Sequence, residues 1–360
     1  MSGVFLDFYV GCQKLCGAVA SARRFWEGNN VFDNDVWLQQ VREDIVDPGR
    51  EIVDPHHHLW EIATLPYNLE QLLADTASGH NVVQTVFMEC SASYFEDGPD
   101  HLRPVGETQF VAAAAERAAS IDGAAQIAGI IGHADLRHKN LDDVLDAHLD
   151  AANGLFRGIR HAGAWDNDLD ALLIKPDGPE GLYLDPAFQA GVARLGERRM
   201  TYDTWHYHHQ NQDFRTLALA VPETKLVLDH FGTPLGVGRF AGKRDEIFLQ
   251  WKDDVAAIAE CPNVCAKLGG LAMPDNGFGW MGRALPPTSD EIVATHAAYY
   301  THMIDCFGPD RCMFESNFPV DRLSVSYTVL WNALKKIAAG YDERSQQLMF
   351  SETARTVYQL

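Results

Sequence analysis

From about residue 50 to the end of the chain, short apolar runs rich in β-branched residues alternate with segments of helical periodicity. Each interval between successive runs is long enough for the helical crossover that parallel strands need. Eight strand–helix repeats in this order predict an α/β protein, a parallel (β/α)8 TIM barrel. The alternative is an open doubly wound sheet, but no glycine-rich phosphate-binding turn follows the first run. The predicted strands are 51–56, 85–90, 126–133, 156–161, 200–205, 226–230, 264–268 and 312–317.

The intervals between these runs carry the predicted helices. They are 69–76, 108–120, 141–152, 186–198, 213–220, 245–260, 289–307 and 324–339, with a last helix at 343–358. We therefore predict one barrel domain that is preceded by an N-terminal extension. The extension is apolar, but Asp7 interrupts its apolar run and Arg23 and Arg24 follow it, which is the wrong order for a signal peptide. We expect an amphipathic segment, such as a helix on the barrel exterior, with an oligomer contact as the alternative.

Charge and composition exclude several classes of partner. The formal net charge is −21, and nucleic-acid binding depends on a basic surface. The same excess of acidic residues argues against an anionic membrane surface, and no apolar run approaches the ~18 residues of a membrane-spanning helix. The 7 Cys residues are scattered without a CxxC pair, which favours reduced thiols in a cytoplasmic protein. We expect a small-molecule substrate and allow for a homo-oligomer.

Polar and titratable residues stand at the end of nearly every predicted strand. In (β/α)8 barrels the catalytic residues lie at the C-terminal ends of the strands. A purely structural core has no reason to end repeatedly in such groups, so this regularity indicates an enzyme. The strand-end residues are His56, His57, His58, Glu89, His133, Asp135, Arg160, His161, Asp203, His206, His230, Lys267, Glu315 and Asn317.

Histidines at the first and sixth strand ends suggest a metal site. Side chains alternate along a strand, so His56 and His58 share a face with Asp54, and His57 points the other way. Two imidazoles spaced in this way can bind one divalent cation. His230 either completes that site or polarises a substrate carbonyl. The alternative is that these are hydrogen-bonded structural histidines.

Four segments together resemble a known family: DPHHHLW at 54–60, FRGIRH at 156–161, LDHFG at 228–232 and CMFESNFPV at 312–320. In this order and spacing they resemble the amidohydrolase superfamily. They are most similar to its amidohydrolase-related (family 2) branch, which includes 2-pyrone-4,6-dicarboxylate lactonase and sugar-acid lactonases. The resemblance covers roughly residues 37–360, which implies a barrel domain over 37–360 and an N-terminal extension over residues 1–36. It implies a barrel hydrolase with His56, His58 and His230 at the metal position.

One position departs from the family pattern. Asn317 stands where the family usually has an aspartate that deprotonates the attacking water, and an amide cannot accept that proton. Glu315 lies on the same face two residues earlier and is the preferred base or ligand. Another carboxylate could serve instead, or the reaction is not the usual hydrolysis, or Glu315 is a structural ion-pair partner of Lys267 or Arg160. The other carboxylates are Glu89, Asp54 and Asp203.

The resemblance leaves metal occupancy open, because the superfamily includes metal-free lactonases and enzymes with one or two zinc ions. We expect one divalent metal, with zinc favoured because it prefers imidazole ligands. A metal-free enzyme is the alternative, because some lactonases of this branch resemble metal-free enzymes and the missing aspartate removes a negative ligand.

Cationic and aromatic residues indicate what binds. Arg160 and Lys267 could hold substrate charge or stabilise the oxyanion formed when a lactone carbonyl is attacked. Further predicted contacts come from loops and strand ends, and a long loop at 269–287 is predicted to close over the site as a lid, with an oligomer contact as the alternative. The predicted substrate-binding residues are Arg103, His161, Tyr94, Trp205 and Trp280.

The sequence thus predicts a hydrolase that opens a lactone or a related ester. Water held by the histidines, directly or through a metal, attacks the carbonyl while Glu315 or a nearby carboxylate takes its proton. A non-hydrolytic lyase, a decarboxylase or hydratase acting on a carboxylated ring, is the first alternative. A non-catalytic binding barrel is the second.

Overall fold

The computed structural model describes residues 34–61 and 66–360. Residues 1–33 of the predicted extension, with Cys12 and Cys16, lie outside the described residues. The sheet has 8 strands in the order of the chain, and each pairs in parallel with the next. This is the predicted barrel. The strands are β1 (Glu51–His57), β2 (Asn81–Met88), β3 (Gln126–Gly132), β4 (Phe156–Arg160), β5 (Thr201–Thr204), β6 (Leu226–Leu228), β7 (Val264–Leu268) and β8 (Cys312–Phe314).

Helices fill the intervals between the strands much as the periodicity predicts. The helix predicted at 343–358 differs, because a π-helical turn at Leu348–Glu352 interrupts it. None of the helices in the described residues is both long enough and apolar enough to cross a membrane. The α-helices are α1 (Asn34–Leu38), α2 (Leu69–Thr76), α3 (Val105–Ala119), α4 (Leu141–Ala151), α5 (Pro186–Glu197), α6 (Asn211–Ala220), α7 (Arg244–Ala259), α8 (Ser289–Phe307), α9 (Tyr327–Ala338), α10 (Glu343–Gln347) and α11 (Thr353–Tyr358).

The seam between β8 and β1 is closed by the residues that follow β8. The backbone N–H of His58 donates to the carbonyl of Phe318 at 2.8 Å, and that of Asn317 donates to the carbonyl of His56 at 3.0 Å. Asp54 also ties this seam together, since it accepts hydrogen bonds from the Ser316 N–H and the Tyr327 hydroxyl, both at 2.9 Å. The seam therefore sets the first-strand histidines beside the residues after β8.

The inside of the barrel is layered. Its lower layer is apolar and includes Val53, Met88 and Met313, and α11 closes it from below with Val357 and Tyr358. Above this layer the inward side chains are charged. They are Asp203 on β5, Lys267 on β7, Asp229 after β6 and Glu315 after β8. The cavity described below lies above that charged layer.

The loop predicted as a lid packs mostly away from the barrel mouth. Trp280 is buried, and its indole N–H donates to His296 on α8 at 3.2 Å. The Arg244 guanidinium lies 3.7 Å from the centre of the Phe278 ring. From this loop Met273 reaches the cavity lining. The aromatic residues of the loop thus pack against α7 and α8.

Candidate active site

A cavity of about 300 Å³ opens at the C-terminal ends of the strands. Catalytic groups in (β/α)8 barrels lie at this face. The lining combines first-strand and sixth-strand histidines with an arginine–carboxylate pair. Its titratable and amide side chains near the barrel axis are His58, Glu89, His133, Arg160, His161, His230 and Asn317.

Lys267 lies below the cavity floor, fully buried, and is not part of the cavity lining. Its ammonium nitrogen is 3.0 Å from Asp203 Oδ2 and 3.3 Å from Asp229 Oδ1. Burial alone would lower the pKa of Lys267, but Asp229, Asp203 and Glu315 together raise it. The lysine therefore stays charged, and it organises the carboxylates beneath the cavity.

Arg160 lines the cavity wall at the end of β4. Its Nε donates to Glu89 Oε1 at 2.8 Å, and its Nη2 donates to the Glu89 carbonyl. Nη1 lies 3.7 Å from Asp229 Oδ2. A guanidinium held on two sides in this way presents its remaining donors in a fixed direction.

Glu315 forms the centre of the site, between two histidines. Its Oε1 is 2.7 Å from His230 Nδ1, and its Oε2 is 2.9 Å from His56 Nδ1. Burial raises the pKa of Glu315 to about 8, although the Lys267 and Arg160 cations oppose this. Burial lowers the pKa of His230 to about 3, so this imidazole is neutral near pH 7.

His230 therefore has one ring nitrogen engaged and one available. When Glu315 is ionised it accepts the Nδ1 proton of His230, which leaves the lone pair on Nε2. His230 is one of the residues that line the cavity. Its unprotonated Nε2 can act as a general base or as a metal ligand.

Two glycines after β7 make this arrangement possible. An added Cβ on Gly269 would lie 2.3 Å from Glu315 Cγ. One on Gly270, whose φ is +79°, would lie 2.5 Å from His230 Nδ1. No side chain fits at these distances, so the glycines allow the backbone to approach both partners of the pair.

His56 and His58 face each other across a short gap. Their Nε2 atoms are 3.3 Å apart. His58 Nδ1 lies 2.8 Å from the carbonyl of Met88 and must donate to it, so His58 Nε2 carries a lone pair. Burial, followed by the Arg160 cation, holds the pKa of His58 well below its usual value. His58 therefore points the lone pair of a neutral ring nitrogen towards His56.

This geometry fits a divalent metal. Two nitrogens that each lie about 2.0–2.1 Å from a tetrahedral zinc are roughly 3.3–3.4 Å apart. A second possible donor set consists of His56, His230 and Glu315, whose ligand atoms all lie within 4.8 Å of one another. His56 can thus serve either set, through Nε2 or through Nδ1.

Charge balance around these donors also favours a cation. The carboxylates of Glu89, Asp203, Asp229 and Glu315 are buried, and Lys267 and Arg160 are the buried cations in contact with them. Asp229 forms ion pairs with Lys267 and Arg160, but neither of its oxygens accepts a hydrogen bond from the described residues. Burial raises the pKa of Asp229 to about 6. Binding a cation or taking up protons would therefore reduce the repulsion among these carboxylates.

Asn317 lines the cavity from the segment after β8, with a left-handed backbone of φ +54°. Asparagine tolerates this conformation better than most residues. Its Nδ2 donates to Asp321 Oδ1 at 3.1 Å, and Asp321 is itself buried. The amide is thereby held in one orientation beside His58 and His230.

The structure places the predicted substrate-binding residues in two groups. His161 and Trp205 line the cavity, and Trp205 is steadied by donating to Thr233 Oγ1 at 3.0 Å. Tyr94, Arg103 and Trp280 are not among the residues that line this cavity. Arg103 instead donates to the carbonyl of Phe95 at 2.7 Å, within its own loop.

Two cavity cations were not predicted from the sequence. Arg137 follows β3 and pairs with Asp135, and Lys175 lies in the long connection between β4 and α5. The length of that connection, and its proline and glycine residues, were available indications of a functional loop.

Comparison with known proteins agrees with this architecture. The protein y4mH of Sinorhizobium fredii, described as uncharacterized, is 30% identical over 333 residues, which cover 86% of this chain and 98% of that protein. An L-fucono-1,5-lactonase of Burkholderia multivorans is 26% identical over 288 residues, which cover 76% and 84%. The crystal structure of an amidohydrolase from Burkholderia multivorans with bound Zn superposes with a TM-score of 0.67 at 22% identity, covering 86% of this chain and 99% of that one. Because the zinc-bound structure shares only 22% sequence identity, its similarity is evidence for the fold alone.

The sequence profile of one family spans most of the chain. The profile described as amidohydrolase matches residues 53–360, from β1 to the last residue. This range includes the first-strand histidines, His230 and the segment after β8. The resemblance predicted from the sequence is thereby confirmed, and the chain belongs to the amidohydrolase family of enzymes.

Proposed function

We propose that this enzyme is a hydrolase that opens a lactone or a closely related ester. The observation that carries the proposal is the neutral, cavity-lining His230 with the Glu315 carboxylate 2.7 Å behind it. A histidine oriented by a buried carboxylate is a recurrent general base in acyl transfer. The similarity to an L-fucono-1,5-lactonase over 76% of the chain supports a lactone as the acyl substrate.

In the proposed reaction His230 handles the proton. A water molecule gives a proton to His230 Nε2 while its oxygen bonds to the acyl carbon. The ring C–O bond then breaks, and the departing alkoxide takes the proton from Nε2. Glu315 stabilises the imidazolium between these two steps.

Neighbouring side chains stabilise and position the substrate. Arg160, held by Glu89, donates to the oxyanion that forms on the carbonyl oxygen. Asn317, held by Asp321, hydrogen-bonds the substrate but takes no proton. Lys267 does not line the cavity; it holds the carboxylates of Asp203 and Asp229 in place through ion pairs. Glu315, which the sequence predicts as the base, acts in this proposal by orienting His230. Lys267, which the sequence predicts as a contact for the substrate or its oxyanion, acts by holding the buried carboxylates.

His56 and His58 are the residues that would hold a divalent metal, through the Nε2 atoms that face each other. Zinc is the metal that this pair favours, because neutral imidazole is among its preferred ligands. A bound cation would supply Lewis acidity towards the substrate carbonyl. His230 stays outside this ligand set in our proposal, although the sequence assigned it there.

The test is hydrolysis of a panel of five- and six-membered sugar-acid lactones, followed by acid release at constant pH. We expect turnover by the wild-type enzyme and a loss of about 10²- to 10⁴-fold in His230→Gln, the range typical of a general base. His302→Gln is the matched control, because His302 Nε2 bonds to the Lys252 carbonyl on the outside of the barrel. Carbon dioxide release from a carboxylated aromatic acid, without lactone turnover, would contradict the proposal and favour the lyase.

Elemental analysis of the same samples separates the two roles of His230. A base that is not a ligand predicts that His230→Gln keeps the metal content of the wild type, while a His56→Ala/His58→Ala variant loses it. If the metal is lost together with activity in His230→Gln, then His230 is a ligand and the proposed assignment is wrong.

A further inference from the structure

The cations around the cavity differ in how they are held. Arg160 is paired with Glu89, and Arg137 is paired with Asp135. Lys175 lines the cavity, yet no hydrogen bond or ion pair joins its ammonium group to another residue within 34–61 and 66–360. A ligand can therefore use the charge of Lys175 without breaking an internal pair.

Lys175 lies on a segment that is fixed just before it. The backbone N–H groups of Leu173 and Ile174 donate to the two oxygens of Asp275, at 2.7 and 2.9 Å. Asp275 belongs to the loop after β7 and is buried. The hydroxyl of Tyr207 donates to the carbonyl of Ile174 at 3.3 Å. Both polar groups of the Ile174 backbone are thus held by other loops of the barrel.

The same segment is also fixed just after Lys175. Gly178 packs so closely on the segment after β4 that an added Cβ would lie 2.8 Å from the carbonyl oxygen of Ala164. Residues 173–178 therefore form a strap that is hydrogen-bonded before Lys175 and closely packed after it. Four of its residues, Ile174, Lys175, Asp177 and Gly178, line the cavity.

We propose that Lys175 on this strap binds a carboxylate of the substrate and selects anionic over neutral lactones. The inference rests on the proposed function and names the substrate class of the same site. An ammonium group on a fixed strap loses less freedom on binding than one on a mobile loop. The cavity of about 300 Å³ is at the lower end of ligand sites, which suits a small ring with one charged substituent.

The acidic residues around the cavity limit how much negative charge a ligand carries. Glu89, Asp135 and Asp177 also line it. Glu89 and Asp135 are each compensated by an arginine. Asp177 lies two residues from Lys175 and adds a further negative charge, so Lys175 can match one carboxylate of a ligand and a dianionic phosphate is repelled.

The test compares one lactone that carries a carboxylate with the same lactone that carries the corresponding primary amide. We expect the wild-type enzyme to prefer the carboxylate in kcat/KM. Lys175→Met should reduce that preference by about 10- to 100-fold, mainly through KM, since a hydrogen bond to a charged group is lost. Lys175→Arg should retain most of it. Lys243→Met, an exposed lysine at the start of α7, is the matched control.

Asp275→Asn tests the strap itself. The amide can accept one backbone N–H in place of two, so the preference for the carboxylate should fall although Lys175 is present. A preference that is unchanged in both Lys175→Met and Asp275→Asn would overturn the proposal.

Calorimetric titration keeps this result separate from the proposed function. If no lactone is turned over, glutaramate, which carries one carboxylate, and its neutral diamide serve as binding probes. Tighter binding of glutaramate that is lost in Lys175→Met supports the carboxylate site even if the lactonase proposal fails. Equal binding of both probes contradicts the carboxylate site.

Discussion

At the residue scale, the site stands on two backbone positions that side chains seldom occupy. His230 has φ +54°, and Asn317 also has φ +54°. Left-handed backbone is uncommon for residues other than glycine, although Asn and His adopt it more often than most, and residues held in it cluster at functional sites. Both residues line the cavity, at the ends of β6 and β8. In this conformation Nδ1 of His230 lies 2.7 Å from Glu315 Oε1.

The pH dependence of kcat/KM should report on this pair. Glu315 must be ionised to accept the Nδ1 proton of His230, and burial raises its pKa to about 8. The acid form is inactive, so the rate rises with increasing pH through that value. A bound cation would move the rise to lower pH, because positive charge favours the carboxylate. Profiles of chelator-treated and zinc-supplemented enzyme check this; a profile that falls between pH 6 and 8 would contradict it.

Residue patterns located the centre of the site but not its edge. The strand-end positions of His56, His58, Arg160 and His230 follow from strand spacing and barrel geometry, and the structure brings them together. Lys175 belongs to a loop, and loop paths depend on distant contacts such as the one with Asp275. No local pattern around residue 175 encodes those contacts.

At the element scale, the turn after β7 matters more than the loop that continues from it. This turn carries Gly269 and Gly270, which let the chain pass against Glu315 and His230. The loop at 269–287 is predicted from its sequence to close over the site as a lid. Phe278 and Trp280 instead pack on α7 and α8, because large side chains gain more by burial against helices than over an open cavity.

Gly270→Ala should disable the site without unfolding the protein. Its Cβ would lie 2.5 Å from His230 Nδ1, so the ring must move and its bond to Glu315 is lost. A displacement of this kind costs about 10²-fold in kcat/KM. Gly279→Ala is the matched control: its φ is +71°, so the backbone penalty is similar, but an added Cβ meets nothing within 4 Å. Equal rates in the two variants would contradict this account.

At the scale of the whole molecule, the barrel was predictable because the strand–helix pattern occurs eight times in the sequence. Period-2 and period-3.6 segments alternate, and a parallel sheet with helical crossovers is the arrangement that buries both. The closing of the barrel floor was not predictable. Tyr358 reaches from α11 into the barrel, where its hydroxyl donates to Asp203. A contact across 155 positions leaves no periodic trace in the sequence.

Buried histidines should make the fold sensitive to acid. Burial lowers the pKa of His57 and of His296 to about 3. Between the unfolded value of about 6.5 and that folded value, the unfolded chain binds more protons, so each group lowers the free energy of unfolding by about 1.4 kcal/mol per pH unit as the pH falls. Above about pH 7 their contribution vanishes. Urea unfolding from pH 7.5 to 5 measures how steeply the free energy of unfolding falls as the pH falls. In His296→Gln this slope should be smaller by about 1.4 kcal/mol per pH unit, because one proton fewer is taken up on unfolding. An unchanged slope would contradict the assignment.

The most direct test of the central claim is the rate of lactone hydrolysis by Glu315→Gln. Glutamine keeps the size of the side chain but removes the charge that orients His230 and stabilises its protonated form. We predict that kcat falls by about 10²- to 10⁴-fold while the fold is retained, as for other carboxylate–histidine pairs. Glu260→Gln, at an exposed ion pair with Arg215, is the control. A kcat within about threefold of the wild type would show that Glu315 is a structural ion-pair partner and that the chemistry lies elsewhere in the cavity.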